Sequence, residues 1–182
     1  MSTIETTATK LPAGTWTADP VHSQVGFAVA YMGGTFRGTF SPFQATLEVD
    51  EDGAARLTGL VRVQDVKVQD PNLEAHLQSP DFFDAERTPE ISFSADGIAR
   101  EGDAVAINGE LAIRGTSLPV ELRGQLVDGI VDGYGKERIR LTVEGTVDRS
   151  RYGLNWNMPL PSGEPALPND VSLTGEIFLV KA

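Results

Sequence analysis

Cysteine is absent from the 182 residues. Disulfides, thiolate nucleophiles and cysteine-ligated zinc are therefore excluded. Histidine is scarce: His22 and His76 are the two present, far apart in the chain. A metal centre needs three or more converging ligands, so no metal is expected and each histidine should hydrogen-bond within a loop or strand end. Positive charge is also in deficit, with 15 basic against 26 acidic residues and a net charge of -11. Such a chain repels phosphate backbones and anionic membrane surfaces, so nucleic acid is not an expected partner. No apolar run is long enough for a transmembrane segment. Residues 1–10 are polar and threonine-rich with a single lysine, unlike a secretory signal, and the expected location is cytoplasmic. Phosphate-binding loops, a dinucleotide fingerprint, H-E-x-x-H and a G-x-S-x-G nucleophile elbow are all missing.

What the chain does have is alternation. Hydrophobic residues make up 40% and charged residues 23%, an ordinary globular balance with length enough for one core. Val25, Phe27, Val29 and Tyr31 alternate with small or polar neighbours, as do Val105, Ile107, Leu111 and Ile113. The same period of two recurs over residues 118–126, 139–147 and 171–179, as in strands with one buried face. Asp50-Glu51-Asp52-Gly53, Asp96-Gly97, Glu101-Gly102-Asp103, Asp128-Gly129 and Asp132-Gly133 supply turn chemistry between runs. The reading is all-β: an antiparallel β-barrel of about eight strands over residues 14–182, behind a flexible N-terminal tail of residues 1–13.

Breaks in the rhythm are informative. Ser41-Pro42 suggests an edge or bulge. Between Leu57 and Val68 the apolar phase slips after Val63, which reads as a β-bulge. Residues 70–87 carry a short helical insertion: Asp70-Pro71 and Ser79-Pro80 resemble N-caps followed by proline, predicting helical turns over residues 72–78 and 81–85. Asp81, Asp84 and Glu86 then suit a helix dipole better than acid–base catalysis. Asp19, His22 and Ser23 contain the parts of a triad, but adjacent strand residues point to opposite faces, so no catalytic residue is expected.

Four ordered motifs carry a family resemblance. Trp16 and Asp19-Pro20-Val21-His22-Ser23 precede Phe27-Ala28-Val29 and Phe36-Arg37-Gly38-Thr39-Phe40. His76-Leu77-Gln78-Ser79-Pro80-Asp81-Phe82-Phe83-Asp84 leads to Pro89-Glu90-Ile91-Ser92-Phe93. Gly109-Glu110-Leu111-Ala112-Ile113-Arg114-Gly115-Thr116 and Asp148-Arg149-Ser150 with Gly153 follow. Together, over residues 14–181, they resemble the YceI family. The resemblance implies a lipocalin-like extended barrel with an elongated cavity, non-enzymatic binding of a polyisoprenoid, isoprenoid quinone or fatty amide, and a homodimer. Many members are periplasmic, whereas no signal is read here. Tyr31 stands where the family commonly has histidine, and Arg151-Tyr152 where an acid and phenylalanine are common.

Three functions compete. A lipid carrier would wall its cavity with Phe27, Val29, Tyr31, Phe36, Phe40, Phe93, Trp156 and Met158, with Phe82 and Phe83 closing one end. No cofactor is expected beyond a bound polyisoprenoid-type or acyl lipid. A diphosphate head would need Arg37, Arg87, Arg114, Arg149 or Arg151, but the net charge favours a neutral head. An enzyme acting on a small apolar substrate would bring His22 or His76 and a carboxylate together inside the barrel. A structural or interaction domain would have a filled core instead.

Overall fold

The computed structural model describes residues 9–182. Its strands are β1 (Gly14–Ala18), β2 (Gln24–Tyr31), β3 (Gly34–Phe40), β4 (Gln44–Val49), β5 (Ala55–Arg62), β6 (Val66–Lys67), β7 (Glu90–Glu101), β8 (Ala104–Ile113), β9 (Thr116–Val131), β10 (Glu137–Asp148) and β11 (Asp170–Lys181). The order β1-β4-β5-β7-β8-β9-β10-β11 closes on itself through β1 and β11, giving an antiparallel eight-strand barrel. The remaining strands widen it. β11 pairs with β1 through Leu179–Lys181 and with β2 through Ser172–Glu176, and β3 and β6 continue outward from β2. Sequence reading reaches eight or nine strands because β1 and β6 hold only 5 and 2 residues, too few for alternation to register.

Two of the five turn signals are bulges. Asp96-Gly97 lies inside β7, where the register against β8 shifts between Ala95 and Gly97. Asp128-Gly129 lies inside β9, opposite the shift between Arg138 and Arg140, with Gly129 at φ +72°. A residue tolerant of positive φ serves a hairpin or a bulge equally well. Conversely, the phase slip after Val63 is a 3₁₀ turn, Val63–Asp65, rather than a bulge. It leads β5 into β6, with Val63 and Val66 both fully buried.

One helix is present, α1 (Pro71–Gln78), capped as expected by Asp70, whose carboxylate accepts from the Asn72 N–H at 2.7 Å. The second expected helical turn does not form. Ser79 ends α1, its N–H reaching the His76 carbonyl, and residues 80–87 make successive turns. Asp81 therefore has no helix dipole to serve; it accepts from His76 Nε2 at 3.0 Å. Of the expected tail, residues 1–8 lie outside the described residues. Residues 9–13 are held on the barrel: Leu11 is buried, and the Arg100 guanidinium donates to the Lys10 carbonyl.

The interior divides into two clusters. One contains Trp16, Leu47, Ile107, Leu126, Ile139, Leu141 and Leu179, all almost inaccessible to solvent. The other gathers Phe40, Leu77, Ile91, Leu111, Ile113, Val120, Tyr152 and Leu154 around a hollow. Single strands serve both: on β8, Val105 and Ile107 belong to the first and Leu111 and Ile113 to the second. No helix among the described residues is long and apolar enough to cross a membrane.

Candidate functional site

The hollow is a cavity of about 410 Å³ walled almost entirely by apolar side chains. The bulky side chains of β2, β3, β7 and β8 reach it with a period of two. Val25, Phe27, Val29 and Tyr31 come from β2, Phe36 and Phe40 from β3, Ile91 and Phe93 from β7, and Leu111 and Ile113 from β8. Ala45 of β4, the unbroken run from Leu57 to Val61 on β5, and valines, leucines and Ile177 of β9, β10 and β11 extend the wall. Alternation alone places the residues of β2, β3, β7 and β8 on one face.

Glycines make room for the rings. A Cβ at Gly38 would lie 2.5 Å from Cζ of Phe27, and one at Gly109 would lie 2.7 Å from Cζ of Phe93. Each ring thus lies across a neighbouring strand that has no side chain there. Phe27 meets Phe36 and Phe40 at 6.1 Å between centroids, and Phe83 closes on Phe27 and Phe40 at 6.4 and 6.1 Å.

The two irregular segments meet over the cavity. His76 of α1 stacks edge-on against Phe82 at 5.0 Å and Trp156 at 4.9 Å, and Phe82 and Trp156 lie 5.3 Å apart. The segment bearing Trp156 is anchored by Arg149. This buried guanidinium donates from Nε to the Pro168 carbonyl, from Nη1 to those of Leu154 and Trp156, and from Nη2 to that of Leu167. No carboxylate among the described residues forms an ion pair with it. Burial lowers its pKa, with Asp148 opposing. Arg149 and Tyr152 occupy one 3₁₀ turn, closed by Gly153 at φ +76°, and both line the cavity. Burial raises the Tyr152 phenol above its ordinary range, so it remains a protonated donor.

Of the wall residues expected from sequence, all but Met158 line the cavity. Met158 is 54% exposed on the far side of its loop, its main chain paired with Ala166. Sequence reading missed Leu77, Tyr152 and Leu154 and many aliphatic wall positions; Arg149, considered there for a charged head, lines the cavity but is spent on main-chain carbonyls. Of the other arginines considered for a charged head, Arg114 donates to the Gly153 carbonyl and Arg87 is in solvent. The triad parts do not converge on the cavity. His22 is exposed and bonded to Asp19, while the Ser23 hydroxyl exchanges hydrogen bonds with the Phe178 main chain. His76 does line the cavity, but its carboxylate partner Asp81 lies outside the wall, 57% exposed.

Comparison with known proteins agrees with this geometry. The sequence model of the YceI-like domain matches residues 16–179. Protein YceI of Escherichia coli O157:H7 is 25% identical over 146 residues, covering 79% of this chain and 76% of that protein. Protein YceI of Salmonella arizonae is 26% identical over 149 residues, covering 80% and 78%. Among solved structures, BcnA of Burkholderia cenocepacia superposes with a TM-score of 0.71 at 17% identity, over 88% of this chain and 98% of that one. A polyisoprenoid binding domain from Saccharophagus degradans, implicated in plant cell wall breakdown, superposes with a TM-score of 0.64 at 12% identity, over 92% and 98%.

Proposed function

This chain belongs to the YceI-like domain family, and we propose that it is a non-enzymatic binder of one long apolar lipid, of the polyisoprenoid, isoprenoid quinone or fatty amide type. The observation that carries the reading is the apolar cavity of about 410 Å³, within the size range of small-molecule sites. Each methylene buried there contributes about 0.8 kcal/mol. Ten would supply about 8 kcal/mol before the cost of immobilising the lipid, so tight binding needs no charged anchor. The polyisoprenoid-binding neighbour supports the same class of ligand. The enzymatic alternative gains nothing from the site: the one histidine in the wall has its carboxylate outside.

The role that follows is carriage, storage or sequestration of the lipid, with a second copy of the chain as the proposed partner. Denaturing organic extraction of the purified protein, followed by mass spectrometry, tests the ligand, and native mass spectrometry tests stoichiometry and dimer together. A near-stoichiometric prenyl, quinone or acyl species is expected. If nothing co-purifies, and added polyprenyl lipids neither bind nor raise the melting temperature, the carrier reading is wrong.

A further inference from the structure

Large apolar side chains left in solvent gather at the end of the barrel where the cavity opens. Tyr31, Leu73 and Met158 are exposed there, and Met32 is 60% exposed. Topology brings them to that end. Tyr31 ends β2, and Met32 begins the turn into β3. β6 runs antiparallel to β3, with Lys67 beside Thr39, so the chain heads toward that turn as it enters α1, which bears Leu73. The segment bearing Met158 rejoins β11 at Asp170, two residues before Ser172, the partner of Ala28, and hence level with Ala30. Tyr31 and Leu73 also line the cavity, so its mouth lies among these side chains.

Met32 stands there against local preference. Tyr31 and Gly34 pair across a two-residue turn in which Met32 and Gly33 have φ +44° and +81°. Two positive values mark a type I′ turn, which Asn-Gly fits best. A left-handed backbone disfavours a side chain as large as methionine's, and an exposed side chain recovers little from packing. Strain of this kind persists where the side chain does something its easier replacement cannot. Methionine offers a long, flexible, apolar side chain that adapts to an irregular apolar surface.

We propose that this rim docks on a neutral lipid bilayer, from which the cavity is loaded and into which it is emptied. The inference rests on the lipid-binding reading and deepens it. A lipid that crosses water to reach the protein is slowed about fourfold for each methylene exposed on the way, and a mouth seated in the bilayer avoids that exposure. Tyrosine suits the headgroup level, and leucine and methionine the acyl boundary beneath it. The surface is neutral because the chain carries a net charge of -11 and is repelled by anionic headgroups. Val21, Val131 and Tyr134, exposed at the other end, differ in setting. None of them lines the cavity, and Arg138 ties their two segments together through Asp19 and Asp132.

The test uses delipidated full-length protein in co-flotation with dioleoylphosphatidylcholine or dioleoylphosphatidylglycerol vesicles. Stopped-flow tryptophan fluorescence follows hexadecanamide uptake from the phosphatidylcholine vesicles, with Trp156 in the wall as reporter. The protein should float with phosphatidylcholine and bind phosphatidylglycerol more weakly. Met32→Asn should weaken flotation roughly fivefold, about 1 kcal/mol, and slow uptake to a similar degree. Its affinity for hexadecanamide delivered from cyclodextrin should equal that of the wild type. Its melting temperature should hold or rise, because Asn-Gly suits the turn; this separates a lost surface from a lost fold. Met158→Ser should act in the same direction, whereas Tyr134→Ser, at the other end, should leave flotation unchanged. Flotation that survives Met32→Asn and Met158→Ser combined, or that falls equally in Tyr134→Ser, overturns the docking surface. So does a wild type that binds no vesicle and forms an oligomer that Met32→Asn dissociates, since the rim then pairs two copies of the chain. If hexadecanamide binds from cyclodextrin but the protein floats with neither vesicle, the docking surface alone is overturned. If hexadecanamide binds from neither source, the lipid reading falls and takes the loading role with it.

Discussion

Replacing Val143 by phenylalanine separates the cavity from the core that supports it. Val143 lines the cavity from β10, and its partner in register is a glycine on both sides: Gly124 on β9 and Gly175 on β11. A larger side chain at this position thus meets no cross-strand side chain, and its ring is free to project into empty space. The substitution adds about four carbons, equivalent to about four lipid methylenes displaced. At about 0.8 kcal/mol each, the bound lipid loses about 3 kcal/mol, or roughly a hundredfold in affinity. The delipidated protein should behave oppositely, because a ring entering a void gains contacts instead of straining packed neighbours. Its melting temperature should be unchanged or a few degrees higher, at about 2–4 °C per kcal/mol for a chain of this size. Calorimetry of the apo protein and titration with hexadecanamide read the two effects independently. Unchanged lipid affinity would show that the ligand does not occupy this cavity. A fall in apo stability typical of an overpacked core, about 1–3 kcal/mol, would show that the space is not there.

Acid should loosen the barrel at its filled end. Asp19 and Asp132 both accept from Arg138, at 2.9 and 2.6 Å, and Asp128 is held by Arg100. Arginine hydrogen bonds hold all three carboxyls below the usual aspartate range, with His22 adding to the effect at Asp19. Depressed folded values stabilise the native state above the unfolded aspartate pKa of about 3.9, and this contribution is lost as pH falls below it. Melting temperature should therefore be nearly flat from neutral pH to about 5 and decline below about 4. Arg138→Gln should shallow that decline, and an identical acid slope in the variant would contradict the assignment. Arg149→Met should strip the buried Leu154 carbonyl of its donor, at about 1–3 kcal/mol, while the Leu167 carbonyl keeps the Asn157 amide. Thermal melts should fall by roughly 2–12 °C, and limited proteolysis should open residues 153–169 first. A variant as stable as wild type would mean that the segment is anchored by Asn157 and its bonds to Leu167 alone.

The barrel was legible because strand alternation is a local signal: Val25, Phe27, Val29 and Tyr31 share a face whatever the rest of the chain does. The wall aromatics were legible for the same reason. Where the backbone leaves the strand, no period tells which way a side chain turns. Met158 and Trp156 sit two residues apart in one proline-rich segment, yet Trp156 reaches the cavity and Met158 faces solvent. Asp128-Gly129 fails differently, since the same dipeptide suits a hairpin and a bulge, and only pairing with β10 decides. Arg149 was opaque as well. Its partners are main-chain carbonyls 5–19 residues away, and a carbonyl has no letter in the sequence.

The choice between a packed barrel and a ligand-holding one is resolved within a single sheet. Leu47, Ile107, Leu126, Ile139 and Leu179 fill the end closed by β1 and are almost wholly buried, so that end supplies the close packing a fold of this size requires. The wider end, where β2, β3 and β6 extend the sheet, is then free to leave its apolar face unfilled. An empty apolar surface gains stability from whatever occupies it, in proportion to the area covered. Its irregular cover, built from α1 and residues 149–169, is the part with the fewest strand hydrogen bonds, and aromatic contacts between His76, Phe82 and Trp156 join its two halves. Lipid exchange should therefore open this cover while the packed end stays closed. Hydrogen exchange with and without bound lipid reads this directly: protection should change over residues 70–87 and 149–169 and stay constant over β1 and the Arg138–Ile139 start of β10. Uniform protection changes across both ends would mean that the barrel breathes as one unit.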